Sequence, residues 1–339
     1  MTAPNMLPAD PPEAEPHPHD LHATVPDRLP GPVVRALSTR QPARALGALA
    51  AEWAAVAATI LVAELAYAAW PGAVWLYPLV VVVIGARQQA LTVIGHDAAH
   101  YRFLPDRRWN DLIGDVFVQW PVFVTVEGFR KYHGEHHQHL GEEADGNRFL
   151  WRTHLPDGSV APEWVYPKTP LGFAATILRR ALFVTGLRWI LRGVVGSFLF
   201  ARSNLHRLGR LAWFAAIATV LTLGHAWWGF LLYWIVPYCT WHIAIQYIRL
   251  VCEHSAIPSD HPSYGQTRTT IPRTLERWLM LPRHVGYHIE HHWYPAVPFY
   301  RLPELHAALM EQPGFRARAV VSRSLWGSIQ QVMGAAAKV

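Results

Sequence analysis

Two apolar runs near the start of this chain constrain its fold more than any other feature. The stretches "ALGALAAEWAAVAATILVAELAYAAW" (45–70) and "LYPLVVVVIGARQQALTVIG" (76–95) are each long enough to cross a hydrocarbon core of about 30 Å. The "PGAVW" between them reads as a turn, so together they predict a transmembrane hairpin. Glu52 and Glu64 fit the first run least well. A second pair, roughly 210–224 and 227–251, meets at "HAWWG" and predicts another hairpin. With 51% hydrophobic and 16% charged residues, the composition agrees with a membrane protein that carries substantial polar segments.

The basic residues orient the hairpins, because cytoplasmic segments carry an excess of Lys and Arg. Arg35, Arg40 and Arg44 precede the first run; Arg102, Arg107, Arg108, Arg130 and Lys131 follow the second. A further arginine-rich stretch precedes the third run, and Arg268, Arg273, Arg277 and Arg283 follow the fourth, while the connectors inside the hairpins carry none. Both termini are therefore predicted to be cytoplasmic. The same membrane reading accounts for the sequence pI near 9.5 without nucleic acid. Residues 171–200 mix Arg with apolar residues at helical spacing and read as an interfacial helix, with a fifth span as the competing reading. The stretch 108–130 reads as a shorter helical piece dipping into the interface. Residues 1–42 read as a disordered, Pro-rich tail without a signal peptide, and 43–339 as one membrane domain. Cys239 and Cys252 lack metal or disulfide spacing and read as core residues.

The chemistry lies in the histidines of the predicted cytoplasmic side. "HDAAH" offers His96 and His100, "HGEHH" offers His133, His136 and His137, and "HIEHH" offers His288, His291 and His292. A lone HxxxH is more often a pair of surface histidines than a ligand pair. With 20 histidines in 339 residues, two HxxHH clusters beside it on one membrane face point instead to a metal centre. Imidazole suits Zn, Cu, Fe or Ni. Eight imidazoles exceed what one tetrahedral zinc can use, so two metals are expected. A ligating imidazole generally donates its other N–H to a carboxylate or carbonyl. Asp97, Glu135, Glu253 and Glu290 adjoin the clusters and are candidates for that role. His242 lies inside the fourth run and is either a satisfied core histidine or a contact to a polar substrate group. The other histidines, His306 among them, lack metal spacing.

HxxxH, HxxHH and HxxHH, in that order, the first after one pair of apolar runs and the last after the other, resemble the membrane-bound fatty acid desaturase superfamily, which also includes lipid and sterol hydroxylases and carotenoid ketolases. The resemblance spans about 43–315 and includes "HIEHHWYPAVPFYRLPELH" (288–306). It implies a non-haem di-iron centre that activates O2 as co-substrate, held by the eight box histidines and by His254 at the end of the last run. It also implies an acidic partner at Asp145. Relatives often carry Asn two residues before the third box, where this chain has Gly286; His284 is a candidate compensating contact. No haem, flavin or iron–sulfur motif is visible, so a ferredoxin or similar external carrier is implied as electron donor.

These readings predict an all-α integral membrane protein of four transmembrane helices in two hairpins, with a cytoplasmic helical cap that carries the His-rich di-iron site. The predicted activity is O2-dependent desaturation of a fatty acyl chain at the plasma membrane. The alternatives are a hydroxylase or ketolase with the same iron chemistry, and, more remotely, a membrane metal-binding or transport protein.

Overall fold

The computed structural model describes residues 25, 27–140, 142, 144–147, 166–167, 169–199, 201, 203–257, 259 and 263–336. Among these the chain is mostly helical, and its strands are the two-residue β1 (Thr269–Thr270) and β2 (Val321–Ser322), paired in parallel.

After a short α1 (Gly31–Leu37), α2 (Pro42–Ala69) and α3 (Tyr77–Ala99) carry the two apolar runs and pack against each other. Each has proline in its first turn, where no intrahelical N–H is required. The intervening "PGAVW" forms a tight helical turn, Pro71–Leu76. From Ile84 onward almost every α3 residue is buried, which makes this helix the axis of the fold. Glu52, the carboxylate that fits the apolar run least, is 2% exposed and accepts from Arg87 at 3.0 Å and Arg283 at 2.6 Å. A buried charge is tolerable when it is paired in this way. Glu64 accepts from the Tyr233 hydroxyl.

Among the described residues, Pro42–Ala69 and Pro71–Ala99 are the helices long and apolar enough to cross a membrane. They are joined by a third if α6 (Pro170–Ala181) and α7 (Phe183–Leu199), which meet at 57°, count as one broken span. The stretch expected as a single interfacial helix is thus bent at Leu182, whose ψ of 130° interrupts the helix. The expected third run falls in α8 (Asn204–Leu223), whose first half carries Arg207 and Arg210. The expected fourth run is helical but wound unevenly. Trp227–Phe230 is followed by π-helical stretches at Leu231–Ile235 and Tyr238–His242, and then by α9 (Ile243–His254).

Between the first two boxes, α4 (Arg107–Gly114) and a π-helical Asp115–Gln119 lead by a turn into α5 (Val126–Gln138). Asp115 fixes that turn by accepting from the Val126 amide at 2.8 Å, and it reaches His206 of α8 at 2.9 Å. Gly186 lets α7 lie directly on the Tyr238–His242 stretch, since a Cβ there would come within 2.2 Å of the Cys239 Cα.

The C-terminal part wraps the boxes with short helices: α10 (Thr274–Leu279), α11 (His288–Trp293), α12 (Leu302–Met310), α13 (Pro313–Arg318) and α14 (Leu325–Ala336). Part of the stretch read as a disordered tail is folded onto this region. Val25, Leu29 and Leu37 are buried in the core, the Leu29 amide donates to the Tyr294 hydroxyl at 3.0 Å, and the Gln41 amide donates to the Tyr300 hydroxyl at 2.7 Å. The aromatic residues after the third box supply the partners, a long-range contact that composition does not show. Residues 1–24 and 26 lie outside the described residues.

Candidate metal centre

The boxes sit on four helical segments that converge at one end of α3. His96 and His100 close α3, His133, His136 and His137 lie on α5, His254 ends α9, and His288, His291 and His292 lie on α11. Residues four apart on a helix share a face, while successive residues point about 100° apart. An HxxHH segment therefore presents its first and last histidines together and turns the middle one away.

The structure divides all nine histidines on that rule. One group is His96, His100, His133, His137 and His291; the other is His136, His254, His288 and His292; within each, the candidate ligand atoms lie within 4.8 Å of one another. The second box gives its i, i+4 pair to the first group and its odd member to the second. The third box does the reverse, so the groups exchange one histidine each. They also adjoin, the His137 and His292 rings stacking at 4.3 Å.

Within the first group, His137 Nε2 lies 3.0 Å from His133 Nε2 and 2.8 Å from His291 Nε2. Within the second, His288 Nε2 lies 2.9 Å from His254 Nε2 and 3.1 Å from His292 Nε2. A ring nitrogen offers either one proton or one lone pair, so neither central nitrogen can hydrogen-bond both neighbours. With metal–nitrogen bonds of about 2.1 Å, ligands at right angles stand about 3.0 Å apart. The donor set thus fits a transition metal in each group. Burial, and then repulsion from neighbouring imidazoles, pushes His133, His137, His288, His291 and His292 well below the ordinary histidine range. They are held neutral, the form that ligates.

The outer contacts match the sequence reading unevenly. Asp145, 1% exposed, lies 2.9 Å from His136 Nδ1, which directs Nε2 into the second group. Asp97 adjoins His96 but its oxygen is 3.9 Å from Nδ1, beyond hydrogen-bond reach; it accepts instead from the Phe299 amide at 3.0 Å. It ties α3 to the segment after the third box. Glu253 accepts from Arg249 at 2.9 Å and stands 3.7 Å from His288 Nε2. Three contacts were missed by sequence reasoning. His254 Nδ1 donates to the Gln266 carbonyl at 3.2 Å, and Glu290 accepts from Thr269 at 2.5 Å and lies 2.5 Å from His306 Nδ1. The position of His306 in "LPELH" carried no spacing signal.

Gly286 has a local reason: a Cβ there would meet the Thr270 carbonyl oxygen at 2.1 Å, and the Thr270 amide donates to its carbonyl at 2.7 Å. The chain entering the third box lies directly on β1. His284 belongs to neither histidine group. His242 is 2% exposed, stacks on Tyr238 at 4.8 Å and leaves Nδ1 without a hydrogen-bond partner among the described residues.

A cavity runs along this centre. His96, His133, His136 and His291 line it on the metal side, and Val122, Trp189, Tyr238 and Ile243 are among its other walls.

The sequence matches the fatty acid desaturase family over residues 73–324. The chain belongs to that family. This desaturase is 31% identical over 311 residues to the dihydrorhizobitoxine desaturase of Bradyrhizobium elkanii, which covers 86% of this chain and 82% of the relative. It is 25% identical to the sn-1 oleoyl-lipid 12-desaturase of Anabaena variabilis over 77% of each chain. It is 26% identical to the sn-1 acyl-lipid omega-3 desaturase (ferredoxin) of Nostoc sp. (strain 36), over 75% of this chain and 74% of that one. The protein is therefore an oxidoreductase of the desaturase type, with histidine groups able to hold metal and helices able to span a membrane.

Proposed function

We propose that this desaturase introduces a double bond into an acyl chain at the cytoplasmic face of the plasma membrane, using O2 and a pair of irons. The observation that carries the reading is the five-and-four division of nine histidines beside one cavity. His96, His100, His133, His137 and His291 hold one iron; His136, His254, His288 and His292 hold the other. When bound, the iron pair supplies the O2 chemistry that removes hydrogen from an unactivated C–H bond. The chain's own part is to hold the imidazoles neutral and oriented, Asp145 fixing His136, and to keep the substrate in a cavity with apolar walls.

The four-span arrangement, with two hairpins, cytoplasmic termini and a cytoplasmic cap over residues 43–339, is supported by the distribution of Lys and Arg. An external ferredoxin as electron donor is supported by the relative named for one. Substrate names among the relatives include both acyl lipids and dihydrorhizobitoxine.

The test is lipid mass spectrometry of a host producing this chain with a ferredoxin and its reductase, beside a His291→Ala control. A product lighter by two hydrogens that depends on His291 is expected. A product heavier by one oxygen moves the protein to the hydroxylases. Metal uptake without oxygen consumption overturns the enzymatic reading.

A further inference from the structure

Arg180 stands in the last turn of α6 and lines the same cavity as His96, His133, His136 and His291. Its guanidinium carbon lies 4.2 Å from the centre of the Tyr247 ring, which also lines the cavity. Its Nε is buried without a hydrogen-bond partner, and no carboxylate among the described residues pairs with it. The neighbouring charges are already engaged. Arg249 donates to Glu253 at 2.9 and 3.1 Å and to Gln246 at 3.2 Å, and Asp97 accepts from Phe299. A hydrocarbon chain needs no cation in its channel, and a partly desolvated guanidinium without a counter-charge is unfavourable. An anionic ligand restores the balance, and the planar fork suits carboxylate or phosphate.

We propose that Arg180 is a specificity-determining residue that receives an anionic group of the substrate, a carboxylate or a phosphate, on the floor of the Tyr247 ring. This rests on the desaturase reading of the same cavity. Tyr247 and His254 both lie on α9, seven residues apart, or about 10 Å along the axis. The bond that is oxidised therefore lies close to the charged end of the substrate, not at the remote end of a long chain.

The experiment measures binding without turnover, by equilibrium dialysis of the full-length, iron-loaded protein in detergent. The probes are decanoate, its uncharged methyl ester, and dioctanoyl phosphatidate. Wild type is expected to bind at least one anion about tenfold or more tighter than the ester, the value of one charge-assisted hydrogen bond; the tighter of the two anions identifies its source. Arg180→Gln is expected to lose that preference while its affinity for the ester is unchanged, and Arg180→Lys to keep part of it. Equal binding of anions and ester by wild type, or no binding of either anion, overturns the proposal whatever the variants do. An equal loss for anion and ester in Arg180→Gln shows a packing role and also overturns it. A chain that prefers anions through Arg180 but forms no double bond sinks the desaturase reading alone. One that desaturates regardless of Arg180 sinks this inference alone.

Discussion

The Nε2 atoms of His137 and His291 lie 2.8 Å apart although 154 residues separate them. Each is the neighbour in sequence of a histidine in the other group: His136 beside His137, His292 beside His291. The two HxxHH segments are thus interlocked, each donating one imidazole to the group that holds the other's i, i+4 pair. Neither group closes unless α5 and α11 meet, so a metal held by either group would be coupled to the docking of α11 on α5.

His291 is the single contribution of the third box to the five-histidine group. His291→Ala is expected to abolish desaturation and to lower iron content, with the greater loss from that group, while leaving the chain in the membrane because α2 and α3 are untouched. Metal analysis of the purified variant checks this. Full iron content with full activity defeats the assignment.

Asp145 acts through His136. Asp145→Asn keeps the shape but removes the charge that orients the ring, and iron retention is expected to fall about 10–100-fold. A chelator titration reads the effect, which should appear as early release of a fraction of the iron. Wild-type release kinetics would show that the carboxylate is dispensable.

Gly286 is packed against β1. Gly286→Ala places a methyl group 2.1 Å from the Thr270 carbonyl oxygen, and the required shift is expected to cost about 1–3 kcal/mol. Thermal denaturation in detergent measures it. Since His288 is two residues further on, iron retention should fall in parallel; a variant as stable as wild type contradicts the packing argument.

The Asp115–His206 contact predicts a pH dependence. The hydrogen bond to Asp115 at 2.9 Å raises the His206 pKa above its ordinary value, against the opposing effect of burial. A raised folded-state pKa gives stability that is full below about pH 6.5 and is lost as pH rises through the folded value. The melting temperature is expected to fall across that window in wild type and to lack that component in Asp115→Asn. An unchanged slope in the variant refutes the linkage.

The sequence by itself determined the local parts of this protein. Apolar run length gave α2 and α3, and HxxxH and HxxHH spacing on helices gave sets of imidazoles with defined faces, because both depend only on the regular rise and turn of the chain. Family resemblance added His254 and Asp145. Only the tertiary structure decided which imidazole joins which group, since that depends on how α3, α5, α9 and α11 cross. It likewise decided that Asp97 holds Phe299 rather than a histidine, that His306 serves Glu290, and that residues 27–42 pack on Tyr294 and Tyr300. Each of these is a contact between positions far apart in the chain, made by residues with no periodic signal, so nothing local could specify it. The uneven winding of the fourth run has the same origin: Tyr238–His242 is pressed between α3 and α7, and packing overrides the regular helix that its apolar sequence predicts.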